Sequence, residues 1–480
     1  MRESSKFYSS LGLLIMLNVI IKPVWIFGID RQVQNIAGTE VYGAYFSLLN
    51  FSIVFSFLLD WGLTIFFNRQ LAATGDSFTS KAGGFLFIKL LFAALYAGIV
   101  FGVAYLSGVR QWDILVGIII IQILTSFFLF FKSIVTAQQW FNTDAWLSIL
   151  DKGLMILVCG SFLYLPSVGQ MTIEKFLLIQ IVSTILAVIS VLIIILKTGI
   201  KFSFKTVFLL NRQLFRSALP FGIIVLLMSV HYRLDGFLLE RIHKNGAYEA
   251  GLYAGAYRLL DAANMIGYLF ASFLLPFIAR QWSQKKKIDE VILQSRHLLM
   301  LFALFIVTTV VFLAPWLEQL LYHNTDTEAV TVLQWSLPVL LGYSLVQVYG
   351  TVMTAMGQVT QFCYIILLSV LLNIVLNLLL IPAWGAKGCC LAALISHGFC
   401  GITTLLYVQK NSGINIHFRS LLMYIFIAAI LCAFYFWCRN LTINKWLLIT
   451  GAGLITLLGA ILLKLVDIRK WRTLQNYNNH

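Results

Sequence analysis

The sequence predicts an all-α polytopic membrane protein with about 14 transmembrane helices. Hydrophobic residues make up 60% of the 480-residue chain, charged residues make up only 11%, and the mean hydropathy is +0.89. A soluble globular chain averages about 45–50% apolar and about 25% charged residues, so this composition indicates a membrane protein. Apolar stretches of about 20 residues also recur along the whole chain, and each can cross the hydrocarbon core as a helix.

These stretches follow one another with no interval long enough for a separate soluble domain. In chain order the predicted spans are 8–28, 41–67, 82–106, 114–136, 145–165, 175–196, 214–239, 249–278, 297–317, 330–356, 360–381, 386–408, 419–438 and 446–466. The first span is expected to stay in the mature protein, because no small-residue cleavage site follows it.

A short internal repeat predicts how the spans are grouped. The segment 43–50 (GAYFSLLN) parallels 255–261 (GAYRLLD), and Lys22 lies within one residue of the position that corresponds to Arg233. Six predicted spans separate the two copies, so they have the same orientation, as in transporters built from parallel repeats.

The repeat predicts two six-helix lobes around a central cavity, followed by two additional C-terminal helices. The predicted divisions are an N-lobe at 1–196 with helices 1–6, a basic cytoplasmic linker at 197–213, a C-lobe at 214–408 with helices 7–12, and 409–480 with helices 13–14 and a cytoplasmic tail.

The basic residues predict the orientation. The formal net charge is +15, and Lys and Arg concentrate in alternate loops, most strongly in 197–216 and 280–296. Cytoplasmic loops of membrane proteins carry this excess, so both termini are expected in the cytoplasm and these two loops are expected to be cytoplasmic anchors. No basic-aromatic module or zinc spacing indicates nucleic-acid binding.

Five cationic side chains lie deep inside predicted spans and outnumber the carboxylates at comparable depth. A charge at membrane depth costs roughly 2.5–3.5 kcal/mol on insertion scales and usually faces a cavity, so a cavity that binds an anion is predicted. Alternatively, some of the lysines and arginines extend to the membrane surface, or Arg258 pairs with Asp261 one helical turn away. The cations are Lys22, Lys89, Lys152, Arg233 and Arg258, and the carboxylates are Asp60, Asp151, Asp235 and Asp261.

Other polar side chains inside the spans allow two interpretations. Asp60, Asp235 and Asp261 either take part in ion coupling, with a proton or sodium ion, or neutralise neighbouring cations permanently. Asp151 points about 100° away from Lys152 around a helix, so no pair between them is required. Asn373 and Asn377 share one helix face and either bond a neighbouring helix or line a polar cavity.

Motifs for catalysis and for metal or cofactor binding are absent from the sequence. It contains no Ser/His/Asp grouping, no metal-ligand spacing and no phosphate-binding glycine loop, so neither catalytic residues nor a metal or other cofactor are expected. The predicted outside loops are also too short for the catalytic domain of a membrane glycosyltransferase, ligase or polymerase. The sequence therefore favours a transporter over an enzyme.

Three segments carry a family resemblance. They are 38–45 running into 60–63 and Arg69, 253–258 running to Pro276 and Arg280, and Asn373 and Asn377 followed by 381–388. With its number of spans, the chain resembles the polysaccharide transporter branch of the multidrug/oligosaccharidyl-lipid/polysaccharide (MOP) exporter superfamily. Members of this branch include flippases for O-antigen and capsule units.

The resemblance implies a flippase that moves polyprenyl-diphosphate-linked oligosaccharides to the periplasmic leaflet of a bacterial inner membrane, in lipopolysaccharide, capsule or exopolysaccharide biosynthesis. It implies ion-coupled alternating access and, as partners, a polysaccharide polymerase or chain-length regulator. Lys22, Arg233 and Arg258 would then meet the diphosphate, and Lys89 and Lys152 would receive substrate from the cytoplasmic side. A lipid II flippase is the main alternative, whereas the cations disfavour an exporter of cationic drugs.

Overall fold

The computed structural model describes residues 13, 16–18, 20–64, 67–68, 71, 82–138, 140–165, 170–197, 212–285, 288–322, 326–412 and 418–465. Over these residues the regular structure is helical and no strand occurs, so the all-α polytopic fold class is confirmed. The chain forms two compact units, an N-terminal unit (Met1–Gly251) and a C-terminal unit (Leu252–His480). The linker predicted at 197–213 lies largely outside the described residues, and the predicted lobe boundaries stay a prediction.

Residues 16–18, 20–23, 63–64 and 67–68 of the N-terminal unit are helical. The other described elements of this unit are seven helices and two shorter helical segments. They are a π-helical stretch (Val24–Asp30), α1 (Arg31–Ala37), α2 (Thr39–Val54), a 3-10 segment (Ser56–Leu59), α3 (Ala82–Leu106), α4 (Trp112–Ala137), α5 (Phe141–Tyr164), α6 (Ile173–Lys197) and α7 (Arg212–Ile242). Within this unit α4 packs on α6 and on α2, α2 also packs on α7, and α5 packs on α6.

The next helix, α8 (Gly246–Ser283), begins in the N-terminal unit and continues into the C-terminal unit. The remaining helices are α9 (Asp289–Tyr322), α10 (Thr327–Ser336), α11 (Val339–Ala355), α12 (Val359–Ser412), α13 (Phe418–Cys438) and α14 (Lys445–Leu462). In the C-terminal unit α9 contacts α10, α11, α13 and α14. The two helices predicted after the second lobe therefore pack against α9 and against each other.

Eleven helices among the described residues are long and apolar enough to cross a membrane. One of these, α12, holds the two predicted spans 360–381 and 386–408. Gly385, with φ 54° and ψ −131°, breaks it just after Pro382. The first two predicted spans correspond to helical segments on either side of Gly38. Large apolar side chains such as Leu157 and Ile425 are 72% and 66% exposed, as expected where a helix faces lipid.

Two predicted boundaries were wrong. Helical structure in the first span continues to Ala37, nine residues beyond the predicted end, and stops at Gly38 with φ 85°. Lys22 is therefore farther from the outer end than expected. The predicted basic loop 280–296 is mostly helix, because α8 ends at Ser283 and α9 begins at Asp289.

Arg296, which the sequence placed in that anchoring loop, is instead only 1% exposed within α9. Its guanidinium donates to the hydroxyl of Ser420 and, at 3.4 Å, to that of Tyr349. These bonds connect α9 to α13 and to α11. Arg296 is thus a buried cross-link between helices, and its charge does not mark a surface loop.

Glycine allows the backbones of α2 and of the first turns of α8 to touch. A Cβ on Gly43 would lie 1.9 Å from the carbonyl oxygen of Ala247, and one on Gly251 would lie 2.0 Å from that of Thr39. Both obstructing atoms are backbone, so no change of rotamer can relieve the clash. The amide of Gln34 also donates to the carbonyl of Gly251 at 3.1 Å.

We therefore expect Gly43→Ala to lower the free energy of unfolding by about 1–3 kcal/mol, the usual cost of overpacking. The matched control is Gly98→Ala on α3, where an added Cβ meets nothing within 4 Å. That change should be neutral or stabilise the helix by roughly 0.5–1 kcal/mol. Thermal unfolding of the purified variants in one detergent measures both effects, and equal stability of Gly43→Ala and wild type would contradict the close approach.

Candidate functional site

The second predicted span is interrupted at membrane depth. Its first part, α2, ends at Val54 and is followed by the 3-10 segment (Ser56–Leu59). Trp61 and Gly62 then adopt φ of 46° and 79°. Gly62 accepts this conformation readily, whereas a bulky residue such as Trp61 is held there only by its surroundings. Interrupted spans in transporters occur where the backbone lines a cavity.

Asp60 lies at the interruption, just before the helical residues that resume at Leu63 and Thr64. Both of its carboxylate oxygens accept the backbone N–H of Thr64 at 3.3 Å, and one also accepts the hydroxyl of Thr64. A carboxylate at a helix N-terminus stabilises it by satisfying free N–H groups and by its charge. The Asp-Trp-Gly sequence therefore ends one helical segment and starts the next.

Lys89 on α3 neutralises the Asp60 carboxylate and donates a hydrogen bond to the Leu59 carbonyl at the interruption. Its ammonium lies 2.7 Å from the Asp60 carboxylate and 3.1 Å from the carbonyl oxygen of Leu59. The Lys89 side chain is 1% exposed and that of Asp60 is 30% exposed. Because Lys89 is buried and paired, it does not extend to the membrane surface, which was the alternative to its predicted place in a cationic cavity. Asp60 instead does what the second interpretation predicted, which is to neutralise a neighbouring cation.

A stripe of polar side chains on α4 faces this interruption. The positions recur every three or four residues, so they share one face of the helix. Together with residues from the interrupted span they line an open-sided cavity of about 520 Å³. The cavity is lined by Ser56, Leu59, Asp60, Thr64, Asn68, Gln122, Thr125, Ser126, Leu129, Lys132, Ser133 and Thr136.

Internal bonds occupy some of the lining groups and leave others available. The Ser126 hydroxyl donates to the Leu59 carbonyl at 3.4 Å, and the Asn68 amide donates to the Ser133 carbonyl at 2.7 Å. By contrast, no hydrogen bond joins the side chains of Ser56, Gln122 or Thr125 to another described residue. Their donors and acceptors are directed to whatever fills the cavity.

Lys132, the second charged residue of the lining, is also paired. Its ammonium lies 3.4 Å from the carboxylate of Asp144 on α5, which accepts the Thr136 hydroxyl at 3.0 Å. The predicted candidates included neither Lys132 nor Asp144, because both lie near helix ends and could be taken for interfacial residues. The sequence did contain a signal for Lys132, which is the 3–4-residue spacing of polar positions along α4. This spacing is found only when the faces of a predicted helix are compared, and not when single charges are considered.

The other predicted cations of the N-terminal unit lie apart from this cavity lining. Lys152 pairs with Asp151 at 3.4 Å and places its ammonium 5.0 Å from the ring centroid of Trp25. The flexible lysine stem spans the 100° between neighbouring positions, so the two residues pair although their positions on the helix do not require it. Lys22 and Arg233 are half-buried, and Asp235 is 2% exposed.

In the C-terminal unit Arg258 and Asp261 lie three residues apart on α8, and both are half-buried. Asn373 and Asn377 are fully buried in the first half of α12. The Asn373 amide donates to the Ser396 hydroxyl in the second half at 3.2 Å, and Asn377 donates to Asn373 at 3.1 Å. This arrangement is the helix-to-helix bonding that was one of the two predicted roles.

The fold is that of transporters of the MOP superfamily. A multidrug resistance MATE family transporter of this superfamily, solved inward-facing, matches with a TM-score of 0.65 and 12% identity over 84% of this chain and 97% of that one. The lipid II flippase MurJ, in an inward closed conformation, matches with a TM-score of 0.66 and 16% identity over 94% and 98%. MATE in complex with MaL6 gives 0.63, with 12% identity over 84% and 95%.

Sequence comparison then gives the family. The family model described as polysaccharide biosynthesis protein matches residues 6–282, which is more than half of the chain. The chain therefore belongs to the polysaccharide biosynthesis protein family, a transporter family of the MOP superfamily. A second model, MatE, matches residues 220–379. A search of curated protein sequences finds no match.

We expect Lys89→Met to destabilise the protein, because it leaves the Asp60 carboxylate and the Leu59 carbonyl without their cation. Breaking a buried ion pair costs about 3–5 kcal/mol, and the partial exposure of Asp60 reduces this to about 2–3 kcal/mol. Adding Asp60→Asn should recover part of the loss. A double-mutant cycle of unfolding free energies in detergent measures the coupling.

Lys175→Met is the control for that cycle. It removes the same charge from an exposed side chain that donates to the Gln170 carbonyl, so a change within about 1 kcal/mol is expected. A coupling energy near zero between Lys89 and Asp60 would show that their pairing does not hold the interrupted span together.

Proposed function

We propose that this protein is a flippase that moves polyprenyl-diphosphate-linked oligosaccharide units from the cytoplasmic to the periplasmic leaflet of a bacterial inner membrane. The family match over residues 6–282 carries the proposal, since this range contains all the elements that line the cavity. The products served would be O-antigen, capsule or exopolysaccharide. Transport would be by alternating access coupled to a proton or sodium ion, without an enzymatic step.

The cavity supports this function by its size and position. Its volume of about 520 Å³ falls within the roughly 300–1,000 Å³ of small-molecule sites. With the N-terminus in the cytoplasm, α4 runs from outside to inside. The lining residues from Thr125 to Thr136 then occupy the cytoplasmic half of that helix, and Gln122 lies just outside its midpoint. A polar cavity at this depth could receive the head group of a lipid from the cytoplasmic leaflet.

Two of the predicted cations have paired charges. Lys89 and Lys152 each have a carboxylate within 4 Å, so their charge is largely compensated. Diphosphate recognition by Lys22, Arg233 and Arg258 stays part of the proposal as the sequence predicted it. Arginine can bind phosphate oxygens through two parallel N–H groups, and lysine contributes a point charge. Asp235 and Asp261 likewise stay the predicted candidates for ion coupling, whereas Asp60 is engaged with Lys89.

Lipid II translocation is the second candidate. The observation that favours it is the structural match to the lipid II flippase MurJ, which extends over 94% of this chain. Lipid II shares the polyprenyl diphosphate anchor with the proposed substrate. The same cationic residues would therefore bind the diphosphate of either lipid. Only the sugar-binding part of the site would distinguish lipid II from the oligosaccharide lipid.

The test is translocation of fluorescently labelled lipid-linked oligosaccharide in proteoliposomes, with lipid II assayed in parallel. Wild type should move the oligosaccharide lipid. Lys22→Ala and Arg258→Ala should slow its translocation about tenfold or more, since a hydrogen bond to a charged group contributes about 1.5–3 kcal/mol. Lys175→Ala, which removes an exposed lysine outside the cavity, is expected to match wild type.

The outcomes separate the candidates. If wild type moves lipid II and leaves the oligosaccharide lipid in place, the second function replaces the first. Folded wild type that moves neither lipid, in the presence of a proton or sodium gradient, would overturn both. Normal translocation by Lys22→Ala and Arg258→Ala would leave the transport function standing and remove these residues from the diphosphate site.

A further inference from the structure

The cavity of the N-terminal unit carries balanced charge. Its two charged lining residues, Asp60 and Lys132, have partners of opposite sign: Lys89 at 2.7 Å and Asp144 at 3.4 Å. A diphosphate that entered this cavity would have to break one of these pairs or remain uncompensated in a site of low dielectric. The cavity is therefore unsuited to the anionic part of a lipid-linked substrate.

The same cavity is rich in neutral hydrogen-bonding groups. Its lining includes the amide of Gln122 and the hydroxyls of Ser56 and Thr125, which make no hydrogen bond to any described residue. Hydroxyl and amide groups both donate and accept, as the hydroxyls of a sugar do. At membrane depth such groups need partners, because lipid offers none.

The geometry of the lining also suits a ring that is polar at its edge and less polar on its faces. Gln122, Thr125 and Ser126 occupy consecutive positions of one face of α4, and Leu129 continues that face one turn later. Leu59 contributes an apolar surface from the interrupted span. Polar groups would thus contact the hydroxyls of a sugar while the two leucines pack against its C–H groups.

We infer that this cavity binds the sugar part of the lipid-linked substrate and that the diphosphate is bound elsewhere. The inference rests on the proposed function, which it deepens by assigning one cavity to one chemical part of the substrate. It makes Gln122 and Thr125 determinants of sugar binding. Asp60 and Lys132 would hold the walls through their ion pairs and add a charged acceptor and donor at the edges.

The test compares binding of two probes to purified protein in detergent by calorimetry. One probe is the free oligosaccharide released by mild acid from the lipid-linked intermediates of the source cells, and the other is undecaprenyl diphosphate. Gln122→Leu and Thr125→Val retain side-chain size and remove hydrogen-bonding groups. Each should weaken oligosaccharide binding about threefold to tenfold, and the double variant more than tenfold, with undecaprenyl diphosphate binding unchanged.

Thr450→Val is the matched control, because Thr450 lies exposed on α14 and bonds only its own helix, at the Leu447 carbonyl. It should leave the binding of both probes at the wild-type value. The inference is overturned if wild type does not bind the free oligosaccharide, if the cavity variants bind it as wild type does, or if they lose undecaprenyl diphosphate instead. In each case the cavity would hold water or another ligand.

Translocation by the wild type, measured separately in proteoliposomes, distinguishes this failure from failure of the proposed function. Wild type that translocates the oligosaccharide lipid, together with cavity variants that translocate it equally well, would leave the flippase standing and refute the sugar site. Wild type that binds free oligosaccharide more tightly than the cavity variants but translocates no lipid would support the site and refute the flippase.

Discussion

The packing of the N-terminal unit depends on the side chains that bond the free backbone groups where its second span is interrupted. Inside a bilayer no water is available to bond a free carbonyl, so a break in a spanning helix persists only if side chains supply partners. Here Lys89 reaches from α3 to the Leu59 carbonyl and the Asp60 carboxylate, and Ser126 reaches from α4 to the same carbonyl. These contacts hold α3, α4 and the interrupted span together. The cavity lies between α4 and the interrupted span.

The observed ion pairs also change the prediction that was based on the intramembrane charges. A count of cations over carboxylates suggested one large anion-binding cavity. In the structure Lys89, Lys132 and Lys152 each lie within 4 Å of an aspartate, and this local neutralisation leaves a polar but charge-balanced cavity. The electrostatic character of a membrane cavity therefore follows from the distances between opposite charges, because the interaction of paired charges with a third ion largely cancels.

Under the proposed function the substrate has two chemically different parts, and a charge-balanced cavity suits only one of them. An oligosaccharide offers many hydroxyl groups, and its diphosphate anchor offers concentrated negative charge. Transporters of one fold can differ in substrate by changing either set, and fold similarity at 12–16% identity does not show which lipid or drug is carried. Under the proposed function, the charge balance and the neutral polar groups of the cavity assign it to the sugar part of the substrate.

Composition and periodicity alone determined the all-α polytopic class and the approximate position of each span, because a bilayer requires long apolar helices wherever the chain crosses it. They also identified Lys89 and Asp60 as charges that needed an explanation, and Asn373 as a polar side chain with two alternative roles, one of which was to bond a neighbouring helix. Only the tertiary structure showed that Lys89 pairs with Asp60, that Arg296 is a buried cross-link, and that α4 turns its polar stripe towards the break. Each of these depends on side chains that are tens of residues apart in sequence and meet only when helices pack. Hydropathy measures how apolar a segment is but carries no information about which helix faces it.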